Sequence, residues 1–267
     1  MSTRKPAPAL PSATIVVIRE IDSGPEVLLV RRRAGDAFGD SFAFPGGVID
    51  ENESNAHIVC EGLSPAEANQ VLSTNNGLDY YSAAIRELFE ETGILLARNN
   101  EGNWIKTDSH LSKQRYALNA GKLGWTEFLQ KRKLCMAGDC LHYFAYWETP
   151  YIQPKRWQTR FFISQLPDGQ SAMHDGAEIT DSRWLTPKKA LELFEDGSLP
   201  MPMPTVHNVR DFAKFKTFKE ILNWANQKSS LGIKKIRPAM GMFNGKPRAL
   251  VPGDVGYEEA DSKWLKT

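Results

Sequence analysis

The residues best placed to do chemistry are three glutamates in the run Arg86-Glu87-Leu88-Phe89-Glu90-Glu91. At about 100° per residue, Glu87, Glu90 and Glu91 share one arc of a helix, while Tyr81, Ile85, Leu88 and Phe89 point the other way, toward a core. Ala83 and Ala84 lie one turn earlier on the acidic side and leave space there. The cluster is badly placed for stability alone. Like charges three or four residues apart cost a few tenths of a kcal/mol per pair. Acids in the last turns oppose the helix dipole by roughly 0.3–1 kcal/mol each. A divalent cation reverses both penalties, and oxygen-only donors without Cys or His select Mg²⁺ or Mn²⁺ over zinc. Taken alone, the run also reads as a solvated acidic face with Arg86 as its local salt-bridge partner.

Its surroundings decide between these readings. Phe44-Pro45-Gly46-Gly47 precedes the helix, Glu53 follows Gly47 after five residues, and Gly93-Ile94 closes the run. This set resembles the Nudix hydrolase signature G-x5-E-x7-R-E-U-x-E-E-x-G-U, where U is a bulky aliphatic residue. Every specified residue is present, in Gly47, Glu53, Arg86, Glu87, Leu88, Glu90, Glu91, Gly93 and Ile94. One spacing departs: 32 residues separate Glu53 from Arg86 instead of seven. A box split in this way is similar to the coenzyme A diphosphatase branch of the family. Softer matches at 159–162, 169–170, 174–178, Trp184, Pro187, Ala190-Leu191 and Pro204-Thr205 extend the likeness.

The resemblance implies Mg²⁺- or Mn²⁺-dependent hydrolysis of a diphosphate linkage in a small nucleotide-containing molecule, coenzyme A or an acyl-coenzyme A first among them. ADP-ribose, NADH or a nucleotide sugar is the alternative substrate, and a non-catalytic ligand-sensing domain the alternative role. It assigns metal binding to Glu87, Glu90 and Glu91, and catalysis to Glu87, Glu90 and Arg86, with Arg86 positioning a partner such as Glu53. Gly93 completes the box. A base from outside the box falls on Glu178, with His174 and Asp175 as rivals. Arg32 and Arg156, from the basic runs 31–33 and 155–156, are expected to hold phosphates, beside Gly46 and Gly47. Trp104, Trp147, Trp157 and Trp184 could stack an adenine, although core packing is the commoner role of each.

The elements that must position these residues are α+β. The resemblance implies a Nudix-type mixed β-sheet sandwiched between helices. Strands are predicted at 13–19, 26–32, 41–44, 141–148, 159–166 and 179–185, the first two joined by the turn Asp22-Ser23-Gly24-Pro25. Ser64-Pro65-Ala66-Glu67 predicts a capped helix start. A second helix is expected over 79–92 with Gly93 as its stop, further helical segments over 109–134 and 187–194, and one long helix over 206–227. Residues 1–12 read as a flexible arm and 13–205 as the hydrolase domain. Within it, 54–79 is an insertion expected to loop out and be replaceable by a short linker. Residues 206–267 read as a helical extension and tail packed on the same domain.

Composition bounds the rest. With 33 basic and 32 acidic residues the net charge is +1, so no global field draws nucleic acid or an anionic membrane. Three cysteines without metal-ligand spacing fit a reducing compartment. No apolar run is long enough for a signal or a span, so the cytoplasm is the expected location. A homodimer is compatible with the sequence.

Overall fold

The computed structural model describes residues 6–33, 40–174, 178–243 and 246–265. In chain order the elements are β1 (Ala9–Ile21), β2 (Gly24–Arg32), β3 (Phe42–Ala43), β4 (Gly46–Val48), a 3-10 turn (Glu53–Val59), β5 (Cys60–Glu61), α1 (Pro65–Leu72) and α2 (Gly77–Thr92). There follow β6 (Ala97–Asn99), α3 (Ser109–Asn119), α4 (Trp125–Arg132), β7 (Leu134–Ala137), β8 (His142–Glu148), β9 (Arg156–Gln165) and β10 (Ile179–Leu185). Then come α5 (Pro187–Glu195), α6 (Met203–Phe212), α7 (Phe218–Ser230), β11 (Lys235–Ile236), β12 (Ala239–Phe243), β13 (Lys246–Leu250) and α8 (Tyr257–Leu265).

The main sheet runs β10-β2-β1-β9-β8-β11. The β1–β9 and β8–β11 pairs are parallel and the remaining pairs antiparallel, so the sheet is mixed. Alternation along β1 and β2 divides the molecule. Ile15, Val17, Leu28 and Val30 face a core shared with α2. Val16, Ile18, Val27 and Leu29 face a second core shared with residues of α5, α6 and α7. Helices therefore cover both faces, as the α+β sandwich requires.

One local feature of the sheet matters most for the site. β1 and β2 pair only from Ile18↔Val27 to the turn at Gly24. Beyond that point β3 pairs with β2 at Val30 and Arg31, and β4 pairs with β1 at Ser12–Thr14. The segment holding Pro45-Gly46-Gly47 is thus wedged between two strands that would otherwise close on each other.

Three boundaries differ from the sequence reading. The strand begins at Ala9, paired with Arg156, so residues 9–12 are sheet rather than arm. Pro11 is accommodated there while its carbonyl accepts from the Ile49 amide. The single helix expected over 206–227 is two helices. Thr217 caps α7 by accepting from the Glu220 amide, and the intervening turn brings Phe212 and Trp224 edge to face at 6.0 Å. The insertion does not loop out. Ala56, Ala68, Leu72 and Leu78 are buried in the α2-side core, because a segment this apolar on one face has a sheet and helix to cover.

Candidate active site

The glutamate helix α2 is built as its sequence dictates. Gly93 ends it in the left-handed conformation, φ 75°, with its amide bonded to Phe89 O. Phe89 stacks on Phe128 at 5.2 Å, and Tyr81 packs on Phe162 at 4.6 Å. This apolar side fixes the acidic side against the wedge. Ala83 and Ala84 are fully buried under that contact rather than open beside the acids.

Gly46 and Gly47 meet the helix directly. The Gly46 amide donates to Glu91 Oε2 at 3.1 Å. A Cβ on Gly47 would lie 2.3 Å from Glu87 Oε1, and one on Gly46 would lie 2.4 Å from Ala13 O. A side chain at Gly46 would collide with the β1 backbone, and one at Gly47 would displace the Glu87 carboxylate. The two halves of the split box are therefore in contact.

Glu53 and Arg86 join them. Glu53 is buried and accepts from Ser82 Oγ at 2.6 Å and from Arg86 Nε at 3.1 Å. Burial pushes its carboxyl up, against the opposing pull of Arg86 and Ser82. Arg86 donates through Nη1 to Glu87 at 2.9 Å and Glu90 at 3.2 Å, and through Nη2 to Val48 O at 3.0 Å. Asp50 lies 3.6 Å from its Nε. Burial works against the guanidinium charge, but these acids outweigh it and hold its pKa above the usual range. Glu90 is pushed up to about 7, chiefly by burial, with Arg86 opposing and Glu87 adding.

Around one guanidinium, then, stand three glutamates and Asp50, and Glu91 is one turn away. Among the described residues no three acidic, His or Cys side chains are gathered in metal-holding geometry, since Arg86 stands between Glu87 and Glu90. The chemistry of the donor set still fits a hard cation. It is all oxygen, it lies within two turns, and its acids outnumber the one guanidinium among them.

The other expected residues divide. Glu178 is exposed at the head of β10, its carbonyl accepting from the Arg33 amide. His174 is exposed beside Met173, whose amide donates to Thr92 O at the end of α2. Met173, the residue before His174, is thus tied to the end of the glutamate helix. Asp175 lies outside the described residues. Arg32 stands on β2 opposite Ile179.

Arg156 is a correction. It is 5% exposed, bonded to Glu148 at 2.5 Å, to Ala7 O and to Thr149 O, and packed over Tyr151. A buried guanidinium with an acid partner is structural, and it sits at the far end of β9. Trp147 is likewise buried in the second core against His207, while Trp184 and Trp104 carry Arg19 and Arg98 on their faces.

Sequence reasoning missed the residues that hold Glu53. Ser82 donates to it and accepts from Trp125 Nε1 at 3.2 Å. Ser82 is one helical turn before Arg86, a spacing that shows a shared face but not a partner.

Residues 63–212 match the family model described as the NUDT19 Nudix domain. The chain is 26% identical over 273 residues to the acyl-coenzyme A diphosphatase NUDT19 of Xenopus laevis, covering 88% of this chain and 72% of that one. With the Homo sapiens protein of the same name it shares 27% over 198 residues, 68% of this chain and 52% of the other. A crystal structure of a NUDIX hydrolase from Alicyclobacillus acidocaldarius superposes with TM-score 0.65 at 25% identity, covering 81% of this chain and 96% of that one.

Proposed function

Because the chain belongs to the Nudix hydrolase family, on its coenzyme A diphosphatase branch, we propose that it hydrolyses the diphosphate of coenzyme A or an acyl-coenzyme A with Mg²⁺ or Mn²⁺. The products are 3′,5′-ADP and the (acyl-)4′-phosphopantetheine. One observation carries the reading: Gly46, Gly47 and Glu53 meet Arg86, Glu87 and Glu91 across the insertion.

Glu87, Glu90 and Glu91 are the residues that would hold the metal. When bound there, it neutralises charge on the diphosphate oxygens and makes the attacking water more acidic. Glu53 fixes Arg86, and Arg86 fixes Glu87 and Glu90, so both acids are held before substrate arrives. The bare Gly46-Gly47 backbone leaves room for β1 and for the Glu87 carboxylate beside it. A carboxylate takes the proton of the attacking water, with Glu90 and Glu178 as its candidates.

The test is a turnover panel with Mg²⁺ on coenzyme A, an acyl-coenzyme A, ADP-ribose and NADH. The expected kcat/KM for one of the coenzyme A substrates is at least about tenfold above ADP-ribose, a difference of roughly 1.4 kcal/mol. Preference for ADP-ribose would overturn the substrate, and no turnover of any of the four would overturn the activity.

A further inference from the structure

A second concentration of chemistry lies away from the glutamates. The end of α1, the segment 226–233 and strands β8 and β9 surround an open cavity of about 700 Å³. Arg160 lines it from β9 and is only 5% exposed. Its guanidinium lies between the rings of Tyr80 at 4.2 Å and Tyr146 at 4.7 Å. Nη2 donates to Leu72 O at 3.0 Å, whereas the buried Nε has no hydrogen-bond partner.

Among the described residues no carboxylate lies within ion-pair distance of Arg160. Its neighbours offer none to spare. Lys235, also lining the cavity, bonds Glu148 at 2.5 Å. Glu148 is shared with Arg156 and lies 3.7 Å from Arg237, which Asp261 binds. Two carboxylates thus serve three cations, and Arg160 is a fourth without one. Tyrosine faces stabilise a guanidinium, but they do not accept the in-plane Nε–H. A buried cation that lines a cavity and leaves one of its donors unmade calls for an anion.

We propose that this cavity binds a phosphoryl group on a small molecule, held by Arg160 and Lys235 with the Ser229 hydroxyl at the rim. A planar fork, an ammonium and a hydroxyl donor together match the several oxygens of a phosphate monoester. Arg160 stands opposite Ala13, and Ala13 stands opposite Gly47. Two strand spacings, about 10 Å, therefore separate the Arg160 and Gly47 backbones. That distance admits two sources of the phosphoryl group: a second phosphate of the substrate, or a separate phosphorylated ligand.

The experiment titrates inorganic phosphate and 3′-AMP into the full chain in chelator by calorimetry, so it needs neither metal nor turnover. One site with Kd below about 1 mM is expected. Arg160→Gln should weaken it at least tenfold. Ser230→Glu, an exposed rim change that leaves the core alone, should do the same if the first variant fails to fold. No saturable binding, or equal binding in a folded variant, overturns the site. Kinetics then separate the sources. If the KM advantage of coenzyme A over 3′-dephospho-coenzyme A disappears in the variants, the phosphate is the substrate's own. If phosphate binding is lost while that advantage is unchanged, the site takes a separate ligand.

Discussion

At the residue scale, the site is a set of acids with one arginine and one backbone amide bonded among them. Glu91 accepts from Gly46 and lies almost wholly buried. Glu91→Gln keeps an acceptor for that amide and removes a repelled charge. Turnover should fall by about 10³ or more, several kcal/mol of transition-state stabilisation, while the melting temperature in chelator holds or rises. Near-normal turnover would remove Glu91 from the metal set. Glu90 gives a pH test. Its carboxyl protonates at about 7 in the fold against 4.5 for the ordinary group. The folded state therefore holds a proton that the unfolded chain has released, so the stability from this group is complete below 4.5 and lost as pH rises through 7. In chelator, the melting temperature of the wild type should fall between pH 5 and 8 more steeply than that of Glu90→Gln. Parallel curves would contradict the raised value.

At the scale of elements, the insertion in the box is structure that the site leans on. Pro65 and the Ser64–Glu67 capping box start α1 as the sequence predicts. Leu72 then enters the α2-side core and gives its carbonyl to Arg160. Leu72→Ala should cost about 2–4 kcal/mol of unfolding free energy by urea titration, against well under 1 kcal/mol for Val71→Ala, which is 39% exposed. Replacing 56–78 with a short linker should leave no folded protein. A stable deletion protein would mean that the burial of Ala56, Ala68 and Leu72 carries little of the fold.

At the scale of the whole molecule, the chain is closed by ion pairs between distant segments. Glu148 on β8 gathers Arg156 and Lys235, Arg156 reaches Ala7, and Arg237 continues to Asp261 on α8. Arg156→Met removes a buried partner while leaving Glu148 its other cations. A loss of about 2–3 kcal/mol in stability is expected, with KM for the diphosphate substrate changed less than about twofold, under 0.5 kcal/mol of binding. A tenfold rise in KM at unchanged stability would return Arg156 to the substrate. Beyond residue 212, where the family match ends, α7 still buries Ile221 and Ala225 in the second core.

The sequence alone determined what depends on residue type and short spacing. The glutamate helix, its glycine stop, the capped start of α1 and each half of the split box are local, and each was legible from neighbours within a few positions. It also determined that Gly47–Glu53 and Arg86–Ile94 must meet if the box is whole. What only the tertiary structure decided is which side chains already have partners. Arg156 and Arg160 are both strand arginines four residues apart, yet one has the Glu148 carboxylate and the other has tyrosines and a carbonyl. That difference comes from β8, α1 and α2, brought alongside β9 from 8 to 88 residues away. Burial makes an unpaired charge expensive, and only the assembled fold shows where burial and pairing fail to coincide.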